Sequence, residues 1–147
     1  MDFQSYLQSS VEVAETEAAI LDQLRRKEDL SPIEIRAAKS SMQTLIENCI
    51  GKAKRILKNY NCPIVPKSGR DAILFLYETG AIGDEEYREL SAAVGFRNAM
   101  IHDNMNFSEE VLIDLLKSGK YRTLYNFLVW KPELSEVVLH RIATYTL

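Results

Sequence analysis

No long apolar run occurs anywhere in the sequence, and that absence is the first constraint on what the chain can be. Its longest uninterrupted apolar stretch, Ala72 to Tyr77, falls far short of the roughly 20 residues that a membrane-spanning helix needs. The opening MDFQSYLQSS has neither a basic start nor an apolar signal core, so the expected location is the cytoplasm, with no membrane contact. Cysteine is scarce: Cys49 and Cys62 form no CxxC and have no nearby histidine, which argues against a disulfide framework and against a zinc site. Both are expected as free thiols, Cys49 as a small core residue. Histidine is as scarce, with only His102 and His140, and no second histidine stands at metal-ligand spacing. GxxxxGK[ST], GxSxG and HExxH are all missing, so no cofactor and no metal are expected. The few glycines and prolines fall singly rather than in tracts, which argues against disorder.

What is present is ordinary in amount and uneven in distribution. A chain of 147 residues with 46% apolar and 27% charged residues fits one domain with one core. A net charge of -3 does not by itself advertise a nucleic-acid binder. Yet Lys52, Lys54, Arg55, Lys58, Lys67 and Arg70 follow one another between Gly51 and Arg70 with no acid among them, while acids collect at 12–17, 84–89 and 109–114. Such a local positive surface suits a phosphate backbone; a solvated helix face is the alternative reading.

Apolar spacing divides the chain into helices. Phe3, Leu7, Val11, Ala14, Ala18 and Leu21 step by three or four residues and mark a first helix that breaks down at RRKEDL. SPIE then supplies a capping serine, a proline at the first helical position and a glutamate that completes a capping box. From Ile35 to Tyr60 the period holds, which predicts a second helix of about 30 residues, roughly 45 Å long. A third helix is expected from about Ser68 to Thr79, ended by Gly80, and a fourth with Tyr87, Leu90, Val94 and Ile101 as its apolar stripe. A fifth runs from about Ser108 through Leu128 with a bend at Gly119, and ELSEVVLHRIATYTL reads as a short terminal helix. No strand alternation persists, so the fold class is all-α.

The end of the fourth helix, GFRNAMIHDNMNF, carries the candidate chemistry. Each residue has a plain structural role available: cations are favoured at a helix C-terminus, and Asp103-Asn104 suits the exit. The functional reading rests on rotation around the helix. Asn98 and His102, four apart, lie within about 40° of one another, whereas Arg97 and His102, five apart, are separated by about 140°. Arg97 therefore curls toward them or meets their counterparts across a two-fold axis between protomers. Histidine, titrating near neutrality, can take a proton from a ribose 2′-hydroxyl and give one to a leaving 5′-oxygen. The arginine fork matches the non-bridging phosphate oxygens as negative charge builds. Asn98 would hold the imidazole tautomer or a phosphate oxygen. This chemistry cleaves RNA without a metal, with Arg97 and His102 as catalytic candidates, Asn98 as support, and Lys52, Arg55 and Lys58 as candidate RNA-binding residues. His140, alone in the tail, reads as a surface or packing residue.

GFRNAMIH resembles the signature R-N-x-x-x-H-x-Y of the HepT family of HEPN-domain toxins, usually preceded there by Gly-Phe. SPIEIRAAKSSMQTLIENCIGKAKRIL is similar to that family's long second helix, SGRDAILFLYETGAI to its third, and FSEEVLIDLL to its fifth. The resemblance implies a HEPN-type bundle of about five helices over 1–131 with a helical extension over 132–147. It implies a symmetric homodimer that cuts RNA, tRNA or mRNA, without metal, and a minimal nucleotidyltransferase antitoxin as partner. Carried over by position, the arginine falls on Arg97, the polar residue on Asn98 and the histidine on His102. The tyrosine that the family's antitoxin adenylylates falls on Asn104, which has no phenol; Tyr87 and Tyr121 are the nearby alternatives, and burial in a complex is another route to neutralisation. The other reading open at this point is a non-catalytic module, regulator or antitoxin that serves a nucleotidyltransferase.

Overall fold

Asp2 opens the first helix by accepting the Ser5 amide at 2.7 Å, and α1 (Phe3–Arg25) then buries Leu7, Ala14, Ala18, Leu21 and Leu24 along one face. The computed structural model describes residues 1–102 and 107–147 of the chain. At the start of α2 (Pro32–Asn59) the capping box is complete: the Glu34 amide donates to Ser31 Oγ at 3.2 Å and the Ser31 amide to Glu34 Oε1 at 2.9 Å. The helix is 28 residues long, and its length is used: it packs against α1 and, as the chain returns, against four further helices. Apolar residues on more than one side of it, from Ala38 to Leu57, are buried.

The third helix, α3 (Gly69–Glu78), is capped by Ser68 and ends where Gly80 takes a left-handed φ of 84°. Its first residue lies so close to α2 that a Cβ at Gly69 would stand 2.7 Å from Ile50 Cδ1, so only glycine lets the two helices meet there. Acids at Asp84, Glu85 and Glu86 open α4 (Asp84–His102), where the helix dipole favours them. The buried residues of α4 are Leu90, Val94 and Met100. Ile101, expected on the apolar stripe, is 39% exposed, because the last turn of α4 is covered on the Met100 side and open on the side of Ile101 and His102.

The expected fifth helix is two helices. α5 (Glu109–Ser118) stops at Gly119, whose φ of 76° is left-handed, and α6 (Tyr121–Val129) starts afresh. The Arg25 guanidinium lies against Gly119, 3.0 Å from where a Cβ would stand, but it is the left-handed backbone that requires glycine. α7 (Glu136–Ala143) returns the tail to α3: Ile142 and Tyr145 are buried, the Tyr145 ring lies 4.5 Å from that of Phe75, and its hydroxyl donates to Glu78 at 2.6 Å. Among the described residues there are seven helices and no strand, as the all-α reading expects. No helix among them is long and apolar enough to cross a membrane. Cys49 and Cys62 are both free thiols; Cys49 is wholly inside, and burial pushes its thiol well above the ordinary range.

Candidate functional site

Three consecutive helices build one polar cleft. α2 contributes Glu47, Ile50 and Lys54, the entry to α3 contributes Lys67, Ser68, Gly69 and Arg70, and the end of α4 contributes Arg97, Asn98 and His102. The cleft has a volume of about 600 Å³. Its lining carries four cations, Lys54, Lys67, Arg70 and Arg97, against the single carboxylate of Glu47, so it is positive on a chain whose net charge is -3. The Gly69 contact with Ile50 brings the start of α3 down onto α2 and so closes one side of this space.

Arg97 curls rather than pointing away. Its Nη1 donates to Asn98 Oδ1 at 2.9 Å, and its Nε and Nη2 form a two-pronged ion pair with Glu47, the Nη2 bond measuring 3.2 Å. Rotation alone puts Arg97 well away from His102, yet the long side chain brings its guanidinium into the cleft that His102 also lines. One protomer therefore unites Arg97, Asn98 and His102. A guanidinium has five N–H donors, and three are used here, leaving one on each terminal nitrogen for another acceptor. The imidazole of His102 is exposed at the helix end.

The sequence model of the family described as ribonuclease HepT-like matches residues 10–129. The chain belongs to this family. Its fold is that of HEPN toxins. One similar solved structure is a toxin–antitoxin complex with AMP-PNP, with a TM-score of 0.73 at 17% identity over 94% of this chain and 99% of that one. Another is the tri-AMPylated HEPN toxin of Shewanella oneidensis in complex with its MNT antitoxin, with a TM-score of 0.74 at 17% identity over 87% of this chain and 96% of that one. No curated protein sequence matches the chain.

Within this HepT-like chain the expected basic residues separate. Lys52 requires correction: it is not a surface residue and is unavailable to RNA. It is 0% exposed, and its Nζ donates to the carbonyls of Phe127 at 2.7 Å, Leu128 at 3.1 Å and Trp130, closing the C-terminus of α6. Burial pushes this ammonium down to about 8. Periodicity places Lys52 on α2 but cannot tell that α6 will be laid over it. Arg55 faces α1, where its guanidinium reaches the Met1 carbonyl and lies 5.1 Å from the centre of the Tyr6 ring. Lys58 is exposed in an adjoining groove with Leu57, Asn61 and Ile64; Lys54 borders both spaces. Glu47 had no signal at all in the sequence, since its partner Arg97 stands fifty positions away.

The tyrosine alternatives differ as well. Tyr121 is 1% exposed and its hydroxyl donates to Asp22; burial, then that carboxylate, push the phenol up to about 12. The Tyr87 ring stacks on Tyr77 with centroids 4.2 Å apart. Asn104 lies outside the described residues. His140 is exposed on α7. A second, mainly apolar cavity of about 320 Å³ lies between α2, α4, α5 and α6, around Ile46, Phe96 and Leu115, and contains none of the candidate catalytic side chains.

Proposed function

We propose that the chain is a metal-independent endoribonuclease toxin that cuts RNA by 2′-hydroxyl attack, with Arg97 and His102 as its catalytic residues and Asn98 in support. The observation that carries this reading is the convergence of Arg97, Asn98 and His102 in one positively charged cleft. In the reaction an imidazole removes the proton of the ribose 2′-hydroxyl, and that oxygen attacks the adjacent phosphorus. The bond to the 5′-oxygen breaks, that oxygen takes a proton from a second imidazole, and a 2′,3′-cyclic phosphate remains. One chain supplies one cleft histidine, so the second comes from the same surface of a partner protomer across a two-fold axis. The N–H groups of Arg97 that Glu47 and Asn98 leave unused meet the non-bridging oxygens, where charge builds in the transition state.

Its antitoxin is proposed to be a minimal nucleotidyltransferase, as in the Shewanella oneidensis complex. With asparagine at 104 and Tyr121 held inside by Asp22, neutralisation by burial of the cleft in the complex fits this chain better than adenylylation at either position. One observation favours a second reading: Glu47 already occupies two edges of Arg97, as it would in a non-catalytic module that only binds the nucleotidyltransferase.

Wild-type protein and His102→Ala are to be compared on bulk tRNA in excess EDTA, scoring cleavage and 2′,3′-cyclic phosphate ends. Cutting by the wild type that vanishes in the variant is the expected result. Cutting that survives His102→Ala overturns the assigned chemistry, and no cutting by either protein, with growth unaffected when the chain is expressed alone, selects the binding module.

A further inference from the structure

Lys54, Lys67 and Arg70 come from α2, the connector after it and α3, yet all three line the cleft that holds Arg97 and His102. Among the described residues no carboxylate pairs with any of them: the ion pairs found there are Lys27 with Glu34, Arg97 with Glu47, and Arg122 with Asp22. All three side chains are exposed, Lys54 on α2, Lys67 on the connector ahead of α3 and Arg70 in the first turn of α3. Arg70 crosses toward α4, where its Nη2 stands 3.6 Å from the position a Cβ of Gly95 would occupy, two residues before Arg97. The guanidinium thus lies beside the helix that carries the candidate chemistry.

We infer that Lys54, Lys67 and Arg70 form a phosphate-tracking wall that binds the backbone of single-stranded RNA on one side of the scissile phosphate. This inference rests on the ribonuclease reading above and assigns the part of that site which holds substrate rather than cleaving it. The ligand chemistry is a run of phosphodiesters: three exposed cations line the same cleft as the fork-shaped donor at Arg97, more positive charge than one phosphate carries. The division of labour follows from position. Arg97 and His102 lie at the end of α4 and act on one phosphate, whereas the wall contacts phosphates that do not react and contributes the same binding energy before and during the reaction. A basic stretch that looks uniform in sequence is thereby sorted by the fold. Lys54, Lys67 and Arg70 reach this cleft, Arg55 faces α1, Lys58 faces the adjoining groove and Lys52 is inside.

The test uses His102→Ala protein, so that RNA is bound without being cut, and follows the anisotropy of a short fluorescein-labelled single-stranded RNA oligonucleotide across a salt series. It compares that parent with the added triple change Lys54→Gln, Lys67→Gln, Arg70→Gln, and with the control pair Arg55→Gln, Lys58→Gln. The triple change is expected to weaken binding about tenfold or more and to flatten the plot of log K against log salt by about 2, at roughly 0.7 per lost phosphate contact on a single strand. The control pair is expected to stay within about twofold of the parent, since surface charges away from the track add little. In protein with His102 intact, the triple change is expected to raise KM and leave kcat unchanged, the pattern of binding lost equally from ground and transition states. Circular dichroism checks the fold, and Lys67→Glu alone repeats the test in the least perturbed background. Binding and salt slope unchanged by the triple change, or lost with the control pair instead, overturn the wall and leave the ribonuclease reading standing. A parent that binds no RNA at all overturns both.

Discussion

Two lysines on α2, two positions apart, have opposite fates. Lys52 is wholly buried and its ammonium closes the end of α6, while Lys54 is exposed and lines the polar cleft. Two residues along a helix turn the side chain by about 200°, so Lys52 faces the returning chain and Lys54 faces α3 and α4. Glu47 stands seven residues before Lys54 and shares its face, which is why it reaches Arg97. One helix thus holds a core cluster on one side and an open charged cluster on the other. Burial makes the first a stability device, because three carbonyls would lose their donor without it. Solvent weakens the second as a source of stability and frees its charges to act on a ligand.

Each side can be broken separately. The largest effect is expected from His102→Ala, with RNA cleavage falling about 1000-fold as an acid–base group is lost and stability staying within about 0.5 kcal/mol. Cleavage time courses and a thermal melt measure the two; a large fall in Tm would mean that the cleft is structural after all. Lys52→Ala should do the reverse, costing about 3 kcal/mol and lowering Tm by roughly 10 °C while the folded fraction still cleaves at its usual rate. A melt within about a degree of wild type would remove Lys52 from the core's account.

A smaller effect separates the two lysines by pH. The folded chain releases the Lys52 proton near 8, whereas an unfolded lysine holds it to 10.5. Between those values the unfolded state binds more protons, so stability contributed by this group rises with pH, by about 1 kcal/mol at around pH 9. Urea titrations at several pH values should show the rise in wild type and in Lys54→Met, and not in Lys52→Met. The smallest change is expected from Glu47→Gln. Removing the carboxylate that competes for Arg97 should tighten RNA binding about threefold and cost less than about 1 kcal/mol of stability. Weaker binding in an anisotropy titration would instead make Glu47 the residue that holds Arg97 in its productive pose.

How much of this was legible in the residues depends on the range of the interaction. SPIE announced the start of α2, Ser68 that of α3 and Gly80 the end of α3, because caps and left-handed glycines act within a few residues. Gly119 was legible as a bend but not as a full stop, since the end of α5 is also met by Arg25, which donates to the Lys117 carbonyl from ninety-two positions earlier. Arg97, Asn98 and His102 were legible as a motif and as a family resemblance, and the family is now established by residues 10–129. Their convergence with Lys54, Lys67 and Arg70 was not legible, and Lys52 was misread as a surface cation.

The order of amino acids was thus enough to set most of the helices, the caps of α2 and α3 and the family, since backbone hydrogen bonds and capping contacts close within one turn and read only near neighbours. Which cations are free and which are buried, that Glu47 meets Arg97, and that three helix segments share one cleft were settled by packing. The rotation of each helix about its axis and the neighbour laid across it depend on the whole core at once, and no local stretch of sequence carries that information.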